Sequence, residues 1–147
     1  MKARVKWLDH MSFVGESPSG HSVVMDGSPD YGGRDLGVRP MEMVLLGLGG
    51  CTAYDVVLLL QKSRQQINLC EVHLEADRAE SVPAVFTSIK VHFVFGGESL
   101  NPTHVERSVK LSAEKYCSVT RMLEPTVDVN YTWEIVLSTA DDQTDQS

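Results

Sequence analysis

Cysteine is scarce in this sequence. There are three in 147 residues, an odd number without paired spacing, which argues against a disulfide framework and fits a reducing compartment. Spacings such as C-x-x-C or H-E-x-x-H are missing, so neither a metal nor another cofactor is implied. Basic clusters interleaved with aromatics are missing as well, and the formal net charge is −7; both argue against nucleic acid as a partner. The opening residues, MKARVKWLDH, hold no apolar core of the kind a secretory signal needs. The cytoplasm is the expected location. The most apolar stretch, Arg39 to Arg64, is interrupted by Glu42, Asp55, Gly47, Gly49 and Gly50, leaving no uncharged run of the ~18 residues that a bilayer demands. No membrane is expected as a partner.

What is present suits one domain over residues 1–137, able to bury about two thirds of its unfolded surface. The segment Ser138 to Ser147 (STADDQTDQS) has Ala140 as its one apolar residue and is expected to be a disordered acidic tail.

The stretch around which the chain is organised is RPMEMVLLGLGGCTAYDVVLLLQKSR, Arg39 to Arg64. Pro40 pre-sets the dihedral of a first helical position, and no later proline interrupts Met41 to Arg64. One helix of roughly 36 Å is predicted. Leucine, valine and methionine lie nearly all round it, which marks a helix surrounded by protein. Gly47, Gly49 and Gly50 each cost up to about 1 kcal/mol relative to alanine; close approach of a neighbour to the Gly47 and Gly50 face would compensate. Arg39 stands where an N-cap serine or aspartate is favoured, and its charge opposes the helix dipole. Tolerance of a weak cap and an anion-binding role both fit that placement.

Before this helix, Ala3, Val5 and Trp7 alternate with Lys2, Arg4 and Lys6, the period of a strand with one buried face. Ser12–Glu16 and His21–Asp26 are further short strands, and the Gly-, Pro- and Asp-rich run Gly27–Val38 is a loop. After it, Val72, Leu74 and Ala76, then Ile89, Val91, Phe93 and Phe95, form the inward positions of an antiparallel hairpin broken at Ser81–Ala84. Cys70 lies at the start of that hairpin as a structural or surface thiol. His73 and His92 fall on its polar face and read as exposed. A second helix begins at Asn101-Pro102-Thr103, with Thr103 and Glu106 offering a capping box. Its inward stripe is Val105, Val109, Ser112, Ala113 and Tyr116. Cys117 follows, and a short helix capped by Ser118 would put this thiol at a helix N-terminus, where the dipole lowers a thiol pKa. Val127 to Leu137 is the clearest strand. The layout is α+β.

Cys51 reads on its own as either a small core residue or a functional thiol. Two stretches change the weighing: P-x-E-x-V-L-L-G-L-G-G-C at Pro40 to Cys51, and S-A-E-K-Y-C-S-V at Ser112 to Val119. On these motifs and the element order the chain resembles the OsmC/Ohr superfamily over Lys2 to Leu137, and within it the uncharacterised OsmC-like branch. The resemblance implies antiparallel sheets packed around a long central helix and an intertwined homodimer with two active sites at its interface. It also implies thiol-dependent reduction of organic hydroperoxides. In that chemistry Cys51 attacks the peroxide and becomes a sulfenic acid. Cys117 then resolves it to a disulfide, which an external dithiol reduces.

The departures from the family pattern matter equally. Characterised family peroxidases carry a glutamate directly after the motif proline, which joins an arginine in holding the reactive thiolate. Here that position is Met41. Glu42 and Arg39 are the candidate activating residues in its place, although nine helical positions set Glu42 on the opposite side from Cys51. Arg4 and Arg34 are alternative cations. Asp55, one turn beyond Cys51, would disfavour a thiolate if the two face each other, and Ser118 replaces the family's usual proline. These departures keep a second reading open: a non-catalytic dimer of the same fold that binds a small molecule.

Overall fold

In the computed structural model the described residues are 1–137, so the expected acidic tail, 138–147, lies outside them. The chain divides into two compact units, Met1–Leu46 and the remainder from Gly47, with one helix running from the first into the second.

The first unit is built on an antiparallel meander of β1 (Arg4–Asp9), β2 (Ser12–Glu16) and β3 (Ser22–Met25). Alternation in β1 had implied a buried face. Instead the whole strand is exposed in the single chain, with Val5 and Trp7 each 62% accessible. The loop that follows is organised by Asp26, which is only 1% exposed. Its carboxylate accepts backbone N–H groups from Gly27 (2.8 Å), Leu36 (3.1 Å) and Arg34 (3.2 Å). Burial alone would raise its pKa; the amides of Leu36, Gly27 and Arg34, with the Ser12 hydroxyl, outweigh that and hold it below the usual carboxylate value.

Helix α1 spans Pro40–Lys62, and the Glu42 carboxylate ties its first turn to Arg39. Glu42 accepts the backbone N–H of Arg39 at 2.9 Å and its guanidinium at 3.1 Å, while Arg39 also reaches Asp35 at 3.1 Å. A carboxylate three residues into a helix thus supplies the cap that Arg39 lacks, and it lies where the dipole favours an anion. By length and mean hydropathy (1.9 over its most apolar window) α1 could cross a membrane, so Glu42, Asp55 and the glycines do not by themselves exclude it. Leu48, Gly49, Thr52, Val56 and Leu60, however, are buried against the protein itself, as in a core helix.

In the second unit β4 (Gln66–Arg78), β5 (Phe86–Glu98) and β6 (Asp128–Val136) form a sheet in that order. β4 and β5 are the antiparallel hairpin read from the sequence, whereas β6 runs parallel to β5. The sheet is therefore mixed where antiparallel pairing was expected. The reason is the connection: α2 (Pro102–Leu111) and α3 (Ser118–Leu123) return the chain to the start of β5, as a crossover must for parallel pairing. Register aligns Leu74, Val91 and Tyr131 in one row and Val72, Phe93 and Trp133 in the next. Ile89, Val91, Phe93 and Phe95 are fully buried on this face. His73 and His92 occupy the opposite, exposed face as anticipated, engaged by Glu71 in one case and by Thr132 and Glu134 in the other. The cap of α2 is Asn101, whose side chain accepts from Thr103 N–H at 2.9 Å, rather than Thr103 itself.

Candidate functional site

Close approach of helix to sheet positions Cys51. A Cβ added to Gly49 would come 2.8 Å from Leu74 Cδ1, so glycine lets α1 settle onto the β4 row that continues to Tyr131. Thr52 is buried and donates its hydroxyl to the Gly49 carbonyl at 3.1 Å. Cys51, between them, is half-buried, and Asp55 follows one turn later on the same side. By contrast, a Cβ at Gly47 or Gly50 would meet no atom of a neighbouring element within 4 Å among the described residues. These glycines lie on a side of α1 where Leu46, Tyr54 (72% exposed) and Leu58 are uncovered.

Cys117 is delivered by a local irregularity. Between α2 and α3, Ser112–Tyr116 form a π-helical turn, closed by the Cys117 N–H donating to the Ser112 carbonyl at 2.9 Å. Such turns are frequent at functional sites because the wider winding redirects one side chain. Cys117 is itself the N-cap of α3, a role the sequence had suggested for Ser118; its sulfur accepts the Thr120 N–H at 3.4 Å. The thiol is fully buried. Helix-terminus placement had implied a lowered pKa, yet the pKa is raised. Burial is the largest cause, the Thr120 contacts oppose it, and the hydrogen bond and charge of Cys51 add to it. Desolvation wins because α3 is six residues long and offers little dipole.

These pieces converge. The sulfurs of Cys51 and Cys117 and a carboxylate oxygen of Asp55 all lie within 4.8 Å of one another, and all three cysteines of the chain are free thiols. Ser112, which opens the π-helical turn leading to Cys117, donates its hydroxyl to the Thr52 carbonyl and to Asp55 Oδ2, each at 3.4 Å, tying the two arms together. Burial raises the Asp55 pKa, partly offset by this Ser112 contact. Behind the sulfurs the Tyr131 hydroxyl lies 2.5 Å from the Thr120 hydroxyl. Burial, partly offset by Thr120 and assisted by the nearby Cys117, Cys51 and Glu124, pushes its pKa to about 12. The phenol therefore stays protonated, with the Thr120 hydroxyl as its hydrogen-bond partner.

Of the residues read from the sequence, the fold brings Cys51 and Cys117 together, and it sets Asp55 beside them. Arg39 and Glu42 are occupied with each other at the first turn of α1. Arg4 pairs with Glu16, and Arg34 with Asp9. Cys70, half-buried in β4, has its pKa raised by burial. Thr120, Ser112 and Tyr131 were missed as site residues. For Tyr131 a signal existed, since a tyrosine on the inward face of a strand must find a partner for its hydroxyl.

Comparison with known proteins adds an independent line. Residues 32–132 match the family model described as OsmC-like protein. The protein YhfA of Escherichia coli K12 is 49% identical over 136 residues, covering 92% of this chain and 98% of YhfA. A hypothetical protein from Aquifex aeolicus has a similar structure, with a TM-score of 0.81, 28% identity and coverage of 93% of this chain and 96% of its own. An organic hydroperoxide resistance protein OsmC from Legionella pneumophila shares the fold at a TM-score of 0.66 and 15% identity, covering 91% of this chain and 97% of its own.

Proposed function

The chain belongs to the OsmC-like protein family, and from that premise we propose that it is a thiol-dependent reductase of organic hydroperoxides whose redox pair is Cys51 and Cys117. One observation carries the reading: two free thiols from distant parts of the chain lie within 4.8 Å of each other, one of them half-buried and the other sealed behind it. The more accessible Cys51 suits attack. Its thiolate takes the terminal peroxide oxygen together with that oxygen's proton, the O–O bond breaks, and the alkoxide takes up the proton shed by the Cys51 thiol and leaves as the alcohol. Cys51 is then a sulfenic acid. Cys117 then gives up its proton and attacks that sulfur as the thiolate; the proton and the sulfenic hydroxyl leave as water, and an external dithiol returns both thiols by exchange. The Thr120 N–H is the donor that steadies charge on the Cys117 sulfur.

The same reading makes the molecule a cytoplasmic homodimer. The uncovered apolar side of α1, with Gly47 and Gly50 open to close approach, supports a second copy packing there. The name of the Legionella protein is consistent with the activity. Two observations favour a second reading: the arginines and Glu42 that could activate Cys51 are engaged elsewhere, and a groove lined by Gly50, Tyr54, Leu58 and Cys70 runs along α1. It describes a small-molecule-binding dimer without turnover.

Steady-state turnover of cumene hydroperoxide with a dithiol donor separates the two. The reductase reading expects turnover above that of the free dithiol, abolished by Cys51→Ser. Ligand-dependent thermal stabilisation that survives replacement of both cysteines, without turnover, is the outcome of the second reading.

A further inference from the structure

We propose that in the reduced protein Cys51, Asp55 and Cys117 form a binding site for a thiophilic divalent cation of the zinc class, occupied in alternation with the disulfide. The proposal rests on the site's geometry and not on peroxidase turnover.

The donor set is the first argument. Two sulfurs and a carboxylate oxygen lie within 4.8 Å of one another. In a tetrahedral site with Zn–S near 2.3 Å and Zn–O near 2.1 Å, neighbouring ligand atoms sit about 3.5–3.8 Å apart. Cys51 and Asp55 share one face of α1 one turn apart, so rotamer changes on one rigid element set two ligands. Cys117 completes the triangle from the turn between α2 and α3.

The second argument is charge. When ionised, these three groups would crowd three negative charges together. Among the described residues no lysine or arginine pairs with Asp55; its partner is the Ser112 hydroxyl. Protons relieve that repulsion in the metal-free site, and a divalent cation can displace them. Two thiolates with one carboxylate favour zinc over calcium or magnesium, which require oxygen-rich sets.

The supporting contacts already exist. Ser112 holds Asp55 Oδ2, and the Thr120 N–H holds Cys117 Sγ, as outer partners of metal ligands do. Three protein ligands leave a fourth tetrahedral position for water or an added thiol. On binding, two thiol protons are released, two metal–sulfur bonds form, and no electron moves. Two-electron oxidation by a peroxide or by diamide, which takes up the electrons as the S–S bond forms, removes both thiolates and expels the cation.

The test titrates the full-length, fully reduced protein with Co²⁺ and with Zn²⁺ against a chromophoric chelator. The expected result is a single metal per chain, a sulfur-to-cobalt charge-transfer band, and tetrahedral d–d absorption. Cys70→Ser should leave all three unchanged. Cys51→Ser, Cys117→Ser and Asp55→Asn should each weaken zinc by about tenfold or more, and the diamide-oxidised protein should bind none. If a cysteine variant fails to fold, protection of the wild-type thiols by Zn²⁺, mapped by alkylation and mass spectrometry, replaces it: Cys51 and Cys117 should be shielded and Cys70 not. Absence of a charge-transfer band, unchanged affinity in Asp55→Asn, or shielding of Cys70 alone would overturn the proposal. Metal binding without hydroperoxide turnover would uphold it while removing the reductase reading, and turnover without metal binding would do the reverse.

Discussion

The sulfur of Cys51, midway along α1, lies within 4.8 Å of the sulfur of Cys117, the residue that caps α3, and both are free thiols. A disulfide between them requires the sulfurs to close to about 2.05 Å. Closing that gap shifts the segment in which the Ser112, Thr120 and Tyr131 contacts hold the π-helical turn and α3.

Those contacts give the first expectation. Tyr131→Phe deletes the hydroxyl that meets Thr120 at 2.5 Å and should destabilise the fold by about 1 kcal/mol. Urea unfolding measures this. Alkaline difference spectra provide a second check: the wild type should retain one phenol that ionises only near pH 12, and the variant should lose that step.

Asp55 should make stability depend on pH in a definite sense. Its folded pKa is raised by burial, so its proton binds more tightly in the folded chain than in the unfolded one. The penalty is absent below the ordinary carboxylate range and grows as pH rises through the unfolded and then the folded pKa. Asp55→Asn keeps an acceptor for Ser112 and should raise Tm at pH 7 by roughly 1–3 °C, with the gain vanishing near pH 3. An equal gain at both values would assign the effect to packing.

Asp26 should act in the opposite direction. Held below the ordinary range despite its burial, by the amides of Leu36, Gly27 and Arg34, it contributes stability above its unfolded pKa that is lost as pH falls through its folded pKa. Asp26→Ala should lower Tm at pH 7 and flatten the acid limb of the stability profile; Asp26→Asn should retain part of the loop. Thermal melts between pH 2 and 7 decide.

The exposed side of α1 should be covered by a second copy. Leu58→Asp, which places a charge in that face, should weaken self-association at least about 100-fold. Sedimentation velocity across a dilution series should then show a monomer where the wild type remains a dimer. A wild type that is monomeric throughout would remove the second copy from the account.

Much of this was legible in the sequence. Alternation located β1, β4, β5 and β6, turn residues marked off β2 and β3, an unbroken apolar run located α1, and the two cysteine motifs identified the family. What was not legible depended on long-range or irregular geometry. Helical phase showed that Asp55 shares a side with Cys51, but nothing local showed that Ser112 would fold across to meet it. The π-helical turn has no period of its own, so the Ser118 cap was displaced by one residue onto Cys117. The expected fall in the Cys117 pKa was reversed because burial, a tertiary property, outweighed a short dipole. The buried face assigned to β1 failed for a related reason: alternation records which side is apolar, and not whether the chain covers it.

The most direct test of the account is to oxidise the reduced protein with one equivalent of cumene hydroperoxide and map its cysteines by mass spectrometry. The account expects a Cys51–Cys117 disulfide with Cys70 still free, and in Cys117→Ser a sulfenic acid on Cys51 that dimedone traps. Oxidation confined to Cys70, or thiols at 51 and 117 that survive the peroxide unchanged, would contradict it.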